Sequence, residues 1–217
     1  MRQRLWAKKS GSASKKRKGN SLIRVETGCS TIFRFDDVLS ENICDRLTLF
    51  MKEMKEHINQ VNLSDLPWQN DDSFKWDSIP SDYLFAKIES YREDMAQLVS
   101  YCYKETVYPH FTDLVYWRTG RSMSRHRDDG WTDDDVYMRQ RAYTTVTYLN
   151  DDYTGGETFV ASENGDYISV PKKGSIVILK STPENAHGVN AVTSGVRVTL
   201  PIWFTRNINS REIYHGR

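Results

Sequence analysis

Two of the five histidines in this 217-residue chain have neighbours that suggest a metal centre. His126, in SMSRHRDDGW, is followed two positions on by Asp128, so on an extended segment both side chains leave the same face and can grip one ion. His187 ends the turn-rich stretch TPENAH, between the strand-like runs SIVIL and VRVTL. Two imidazoles and one carboxylate on one side of a metal leave the other positions to water and substrate. That donor set suits a non-haem Fe(II) that activates oxygen. Alone, His-x-Asp is a weak signal, because the same pair also makes surface turns and structural hydrogen bonds. Asp129 is the competing carboxylate, and a backbone bulge would favour it.

Arg197 strengthens the metal reading. The run from Val196 to Phe204 alternates, with Arg197, Thr199, Pro201 and Trp203 on one face and Val196, Val198, Leu200 and Ile202 on the other. The arginine therefore belongs to a wall that also holds a hydroxyl and a large aromatic. A guanidinium buried there needs an anion, and a bidentate carboxylate is its natural partner. An internal Asp or Glu would satisfy it as a structural bridge; a dicarboxylate cosubstrate would satisfy it as a ligand.

The elements that must position these residues fall into two parts. SLIRVETGCSTIFRFDDVL reads as a strand with a turn at Thr27-Gly28. Ser40 opens a helix whose apolar face is Ile43, Leu47, Phe50, Met51 and Met54, running through Ile58. Residues 60–80 are polar, contain Pro67, Trp68, Phe74 and Trp76, and read as a covering loop. A second long helix spans Ser81 to Val107, with Asp82 at its start and Pro109 closing it. Beyond Pro109, FTDLVYW, AYTTVTYL, GETFV, YISV, SIVIL and VRVTLPIWF are short β-branched and aromatic runs separated by Gly, Pro, Asn and Asp. No interval between them can hold repeated crossover helices, so the strands pair mainly antiparallel and enclose a sandwich, barrel or jelly roll. The two helices would cover one outer face.

Bulk composition limits the alternatives. A hydrophobic content of 38% supports one substantial core. No run is apolar enough to span a membrane, and no apolar leader is recognisable at the N-terminus. Cys29, Cys44 and Cys102 have no metal-type spacing and read as reduced thiols. The chain ends in HGR, and together these features favour an intracellular, cytoplasmic setting. Eight of the 30 basic residues lie in residues 1–18, leaving 22 against 29 acidic residues elsewhere. The expected organisation is a basic, disordered tail over 1–20 and a single domain over 21–217, with helical support at 39–108 and a β core at 111–206. Such a tail suits solubilisation, an acidic partner or, in a eukaryote, a nuclear address. The acidic remainder lacks a basic patch with interleaved aromatics, which disfavours nucleic acid as a substrate.

The stretches YWRTGRSMSRHRDD, RAYTTVTYLNDDYTGGETFV, PKKGSIVILKSTPENAHGVNAV and SGVRVTLPIWFT occur in an order that resembles the Fe(II)- and 2-oxoglutarate-dependent dioxygenases of the prolyl-hydroxylase-like superfamily. The resemblance covers most of residues 114–206. YLNDDYTGGETF and ENAHGVNAVTSGVR are similar to the collagen prolyl 3-hydroxylase branch in particular. It implies an all-β core folded as a double-stranded β-helix (jelly roll), with N-terminal helices packed on one sheet. It also makes His126, Asp128 and His187 the iron ligands and Arg197 the anchor of the distal carboxylate of 2-oxoglutarate.

By the same resemblance Tyr116, ten residues before the first ligand, matches a cosubstrate-contacting tyrosine, while Trp117 occupies that place in other branches. Only one of the two can face inward. Thr158 in GGET matches a cosubstrate-bonding threonine, Trp203 a tryptophan near the iron, and Thr147 stands where some relatives carry a tyrosine. Judged without the motif, Tyr116 and Trp203 would read as core aromatics. His57 and His110 read as structural or surface histidines, and His215 lies in a polar end.

The implied activity uses Fe(II), 2-oxoglutarate and O2, with ascorbate as an auxiliary reductant, and hydroxylates a prolyl residue of a peptide or protein substrate. Because Asp128 supplies a carboxylate ligand, hydroxylation is favoured over halogenation. A free amino acid or other small molecule is the alternative substrate, and a non-catalytic jelly-roll binding protein the alternative class. The acidic loop DDGWTDDDVYMRQR, with Asp133, Asp134 and Asp135, would flank the pocket and favour basic residues around the target.

Overall fold

The computed structural model describes residues 22–58, 68–70, 73–130 and 135–213. The expected basic tail therefore lies outside the described residues. So do Asp133, Asp134, His215 and the side chains of His57 and Trp68.

Two helices form where apolar spacing predicts them. α1 (Glu41–Ile58) follows Ser40, whose carbonyl accepts from the backbone N–H of Ile43 and Cys44. Its buried face includes Ile43, Cys44, Leu47 and Met51. α2 (Asp82–Tyr103) is capped by Ser81, whose hydroxyl accepts from Leu84 N at 3.4 Å. It ends four residues earlier than expected, because Lys104 adopts the left-handed conformation (φ 59°). Pro109 does not close the helix; it lies inside the next strand, opposite Phe204 beside a bulge.

Among the described residues the main antiparallel sheet has eight strands. From edge to edge they are β1 (Ile23–Val25), β2 (Phe33–Asp36), β11 (Ile176–Lys180), β7 (Tyr143–Tyr148), β14 (Val196–Thr205), β5 (Tyr108–Arg118), β4 (Ser73–Lys75) and β3 (Trp68–Asn70). A second sheet has four, in the order β10 (Tyr167–Ser169), β9 (Thr158–Val160), β12 (His187–Val189) and β6 (Met123–His126). β8 (Thr154–Gly155) and β13 (Val192–Ser194) form a separate ribbon.

The expected double-stranded β-helix (jelly roll) is corrected here: among the described residues none of the three sheets closes on itself. The reason lies in the edges. β1 and β2 extend the main sheet on one side and β3 and β4 on the other, so both margins continue outward, and no ladder joins them to the four-stranded sheet. The core is an antiparallel sheet system with helices.

Each face of the main sheet has its own packing. On one side Val198, Leu200, Ile202, Phe204, Ile176 and Ile178 meet Leu47, Met51, Ile88, Met95 and Val99 of the helices. On the other, Val146, Tyr148, Val177 and Leu179 meet Val160 of the second sheet. The stretch expected to form a covering loop instead contributes to the helix-side core. Phe74 and Trp76 are buried, and Trp76 stacks on Phe85 with ring centroids 4.9 Å apart while the Arg92 guanidinium lies 4.1 Å from its ring.

Candidate active site

His126 ends β6 and His187 begins β12, and the two are directly paired in the antiparallel register. Directly opposed residues on one sheet face stand side by side, and here the ring centroids are 4.5 Å apart. Asp128 lies just past the end of β6, in a loop that is pinned when Asp128 N and Asp129 N both donate to Ser181 O, at 3.0 and 3.2 Å. Its Oδ1 is 3.5 Å from His126 Nε2 and its Oδ2 is 3.3 Å from His187 Nε2. One ligand atom from each residue falls within a mutual distance of 4.8 Å. Asp129, the competing carboxylate, turns to Arg127 in an ion pair of 3.1 Å.

Hydrogen bonds set the protonation pattern of the trio. His126 Nδ1 lies 2.9 Å from Ser124 O, and His187 Nδ1 lies 3.1 Å from Asn185 O. A carbonyl oxygen only accepts, so each Nδ1 carries a hydrogen and each Nε2 is directed at Asp128, donating to it when that nitrogen also carries a hydrogen and otherwise offering its lone pair to a metal. Thr144 on β7 donates to Asp128 Oδ2 at 2.6 Å and contacts Ser181 Oγ at 2.9 Å. Burial opposes ionisation of Asp128, yet hydrogen bonds from His126, His187 and Thr144 outweigh it and hold the carboxyl well below its usual range. For His126 burial acts to lower the pKa, but the Asp128 carboxylate and the Ser124 carbonyl leave it raised. Two oriented imidazoles, a carboxylate kept ionised and a hydrogen-bonded outer ring fit a divalent first-row metal.

The trio opens onto a cavity of about 440 Å³ that Arg197 also borders. Arg197 is 1% exposed, and no carboxylate pairs with it among the described residues. Its guanidinium lies 5.0 Å from the Trp117 ring centroid and 5.5 Å from that of Tyr148. Nη2 donates to Thr158 Oγ1 at 3.2 Å, while Nε has no partner. Tyr148 Oη supports that threonine from 2.9 Å. A buried cation with an unused donor is costly unless an anion joins it, so this end of the cavity fits the far carboxylate of a small dicarboxylate.

Of the residues singled out in the sequence, His126, Asp128, His187, Arg197, Thr158 and Trp203 are brought together around this cavity. Tyr116 and Thr147 are not. Tyr116 opposes Val198 and packs against the helix-side cluster, so Trp117, which opposes Arg197, is the residue that faces inward. Thr147 opposes Leu200 and bonds Tyr91 of α2 at 2.8 Å, so it faces the helices and not the cavity. Sequence reasoning missed Thr144, Tyr148 and Asp113. The alternation of β7 and β5 carried the signal, but the face of each parity follows only from pairing with β14.

Residues 104–205 match the family described as the 2OG-Fe(II) oxygenase superfamily. Human prolyl 3-hydroxylase 2 is 35% identical over 86 residues, covering 38% of this chain and 12% of that protein. Human prolyl 3-hydroxylase 3 is 38% identical over 85 residues, covering 38% and 11%. The chain thus spans a small fraction of the length of the curated relatives it matches. Among solved structures, a Pseudomonas putida prolyl-4-hydroxylase aligns with a TM-score of 0.60 at 19% identity, covering 82% of this chain and 93% of that one. A Trichoplax adhaerens prolyl hydroxylase, in complex with a hypoxia inducible factor peptide fragment, aligns with a TM-score of 0.62 at 15% identity, covering 84% and 86%. At these identities the structural likeness is one of fold.

Proposed function

We propose that this chain, which belongs to the 2OG-Fe(II) oxygenase superfamily, is an Fe(II)- and 2-oxoglutarate-dependent dioxygenase that hydroxylates a prolyl residue of a peptide or protein. One observation carries the reading: the His126, Asp128 and His187 ligand atoms, within 4.8 Å of one another, share a cavity with the buried, unpaired Arg197.

His126, Asp128 and His187 would hold Fe(II), and Arg197, with Thr158, would hold the distal carboxylate of 2-oxoglutarate. Bound there, the pair supplies oxidative chemistry in which O2 and 2-oxoglutarate become succinate and carbon dioxide while one oxygen atom enters a substrate C–H bond. The chain itself contributes orientation and exclusion of water. The Trp117 and Tyr148 rings beside the Arg197 guanidinium, with its bond to Thr158, fix its place, so a carboxylate meets its donors with little reorganisation. Thr144 keeps Asp128 from rotating. Val115, Val146, Val189, Pro201 and Trp203 give the cavity an apolar lining that keeps the reacting bond dry.

The choice of a prolyl target is supported by the likeness to the curated prolyl 3-hydroxylases over the segment that contains the site. Among the described residues no helix is long and apolar enough to cross a membrane. The test is succinate formation from 2-oxoglutarate that depends on Fe(II) and disappears in His126→Ala, followed by mass spectrometry of a proline-containing peptide library. Oxygen gained by free proline or lysine, and by no peptide, would remove the peptide reading.

A further inference from the structure

Resting on that reading, we propose that Asp113 is the specificity residue of the cavity, accepting a cationic nitrogen, ammonium or guanidinium, carried by the substrate. Asp113 lies on β5 opposite Lys75 of β4, and between the Thr199–Val115 and Ile202–Thr112 pairs, which sets it beside Pro201. It borders the same cavity as the metal trio, together with Ser73, Val115 and Trp203. It is 6% exposed, and its Oδ1 has no hydrogen-bond partner.

That arrangement is not explained by the chemistry assigned so far. The cosubstrate anchor Arg197 pairs with Trp117, four residues further along β5, roughly 13 Å away at the rise of an extended strand. A carboxylate at Asp113 would repel a dicarboxylate and has no use for it. Nor is Asp113 a structural bridge: no ion pair to it occurs among the described residues, although Arg141, Lys75 and a hydrogen bond from Ser73 favour its charge and Glu212 opposes it. Burial, then Glu212, pushes its carboxyl up to about 7. A buried, underpaired carboxylate on a cavity wall gains most from an incoming cation, because a neutral donor leaves the desolvated charge uncompensated.

The target chemistry narrows where that cation comes from. A prolyl nitrogen inside a peptide chain has no hydrogen to give. The cationic nitrogen therefore belongs either to a lysyl or arginyl side chain next to the hydroxylated residue, or to the secondary ammonium of an N-terminal or free proline.

Calorimetric titration of the full chain, loaded with Fe(II) and 2-oxoglutarate without oxygen, distinguishes these sources. The probes are an end-blocked proline peptide with lysine placed at each flanking position in turn, its norleucine counterpart, the same norleucine peptide with proline as a free N-terminus, and free L-proline. At least one cationic probe should bind about thirtyfold more tightly than the blocked norleucine peptide, and Asp113→Asn should abolish that margin. Which probe carries the margin names the source. Asp113→Ser serves the same comparison if Asp113→Asn does not fold. The proposal is overturned if no cationic probe exceeds the blocked norleucine peptide, or if the margin survives in the variant. Succinate formation without any probe reports separately on the underlying reading. Succinate with no cationic preference overturns the Asp113 contact alone, whereas a preference lost in Asp113→Asn, in protein that forms no succinate, upholds the contact and removes the dioxygenase assignment.

Discussion

Thr147 and Tyr148, adjacent on β7, bond on opposite sides of the main sheet: Thr147 Oγ1 meets Tyr91 of α2 at 2.8 Å, and Tyr148 Oη meets Thr158 beside Arg197 at 2.9 Å. Removing each hydroxyl should therefore have separate effects. Thr147→Val should cost about 1 kcal/mol of stability and leave 2-oxoglutarate affinity unchanged. Tyr148→Phe should weaken 2-oxoglutarate binding several-fold by loosening Thr158. Denaturant unfolding and calorimetry on both variants check this, and a 2-oxoglutarate defect in Thr147→Val would refute the assignment of faces.

Arg197 is buried with no carboxylate partner among the described residues, so its charge costs the fold something that a bound anion would return. Arg197→Met should match or exceed the wild type in melting temperature when 2-oxoglutarate is withheld. The wild type should gain melting temperature on adding 2-oxoglutarate with Mn(II), and the variant should gain almost none. Equal ligand-induced shifts in both proteins would show that the dicarboxylate is held elsewhere.

Gly156 has φ +69°, and a Cβ there would stand 3.0 Å from Arg197 Cδ and 3.1 Å from the Tyr153 ring. Gly165 has φ +97° but open space around it. Alanine at either site should cost about 1 kcal/mol through the backbone. Only Gly156→Ala should also weaken 2-oxoglutarate binding, by displacing the arginine stem. Paired unfolding and calorimetric curves separate the two contributions, and unaltered 2-oxoglutarate affinity in Gly156→Ala would count against the contact.

Asp113, with its carboxyl raised to about 7, keeps a proton in the folded protein over a range where the unfolded chain, ionising near pH 4, has lost it. Its contribution to stability therefore falls as pH rises from about 4 to about 7 and stays low above that. Asp113→Asn should remove this fall, giving on the order of a few kcal/mol at neutral pH and little at pH 4. Melting curves at the two pH values test it; an equal difference at both would contradict the shift.

How much could be read from the chain depended on whether the signal was local. The β14 alternation put Arg197, Thr199, Pro201 and Trp203 on one face, and these four do line the cavity, because a strand's own period decides which residues share a side. The same period in AYTTVTYL and FTDLVYW left Thr147 against Tyr148 and Tyr116 against Trp117 undecided, since the choice of face depends on the partner strand. Phe74 and Trp76 sat in a polar stretch and read as a cover, yet a three-residue strand and one tight turn were enough to bury them. Open sheets rather than a closed one follow from distant pairings such as Lys75 with Asp113 and Phe35 with Ile176. No short window of sequence contains those pairings.

Each imidazole at the centre is tethered through Nδ1 to a carbonyl two residues upstream, and Asn185, which supplies one of them, is itself buried and bonded to Lys180 N and Ala161 O. Stiffening fixes where the donors stand, but two imidazoles and a carboxylate suit several ions of the first transition row, and by affinity copper, nickel and zinc would outbid ferrous iron. Under the proposed ferrous assignment, exposure to those ions should lower activity, and stripping with a chelator before reloading with ferrous salt should restore it.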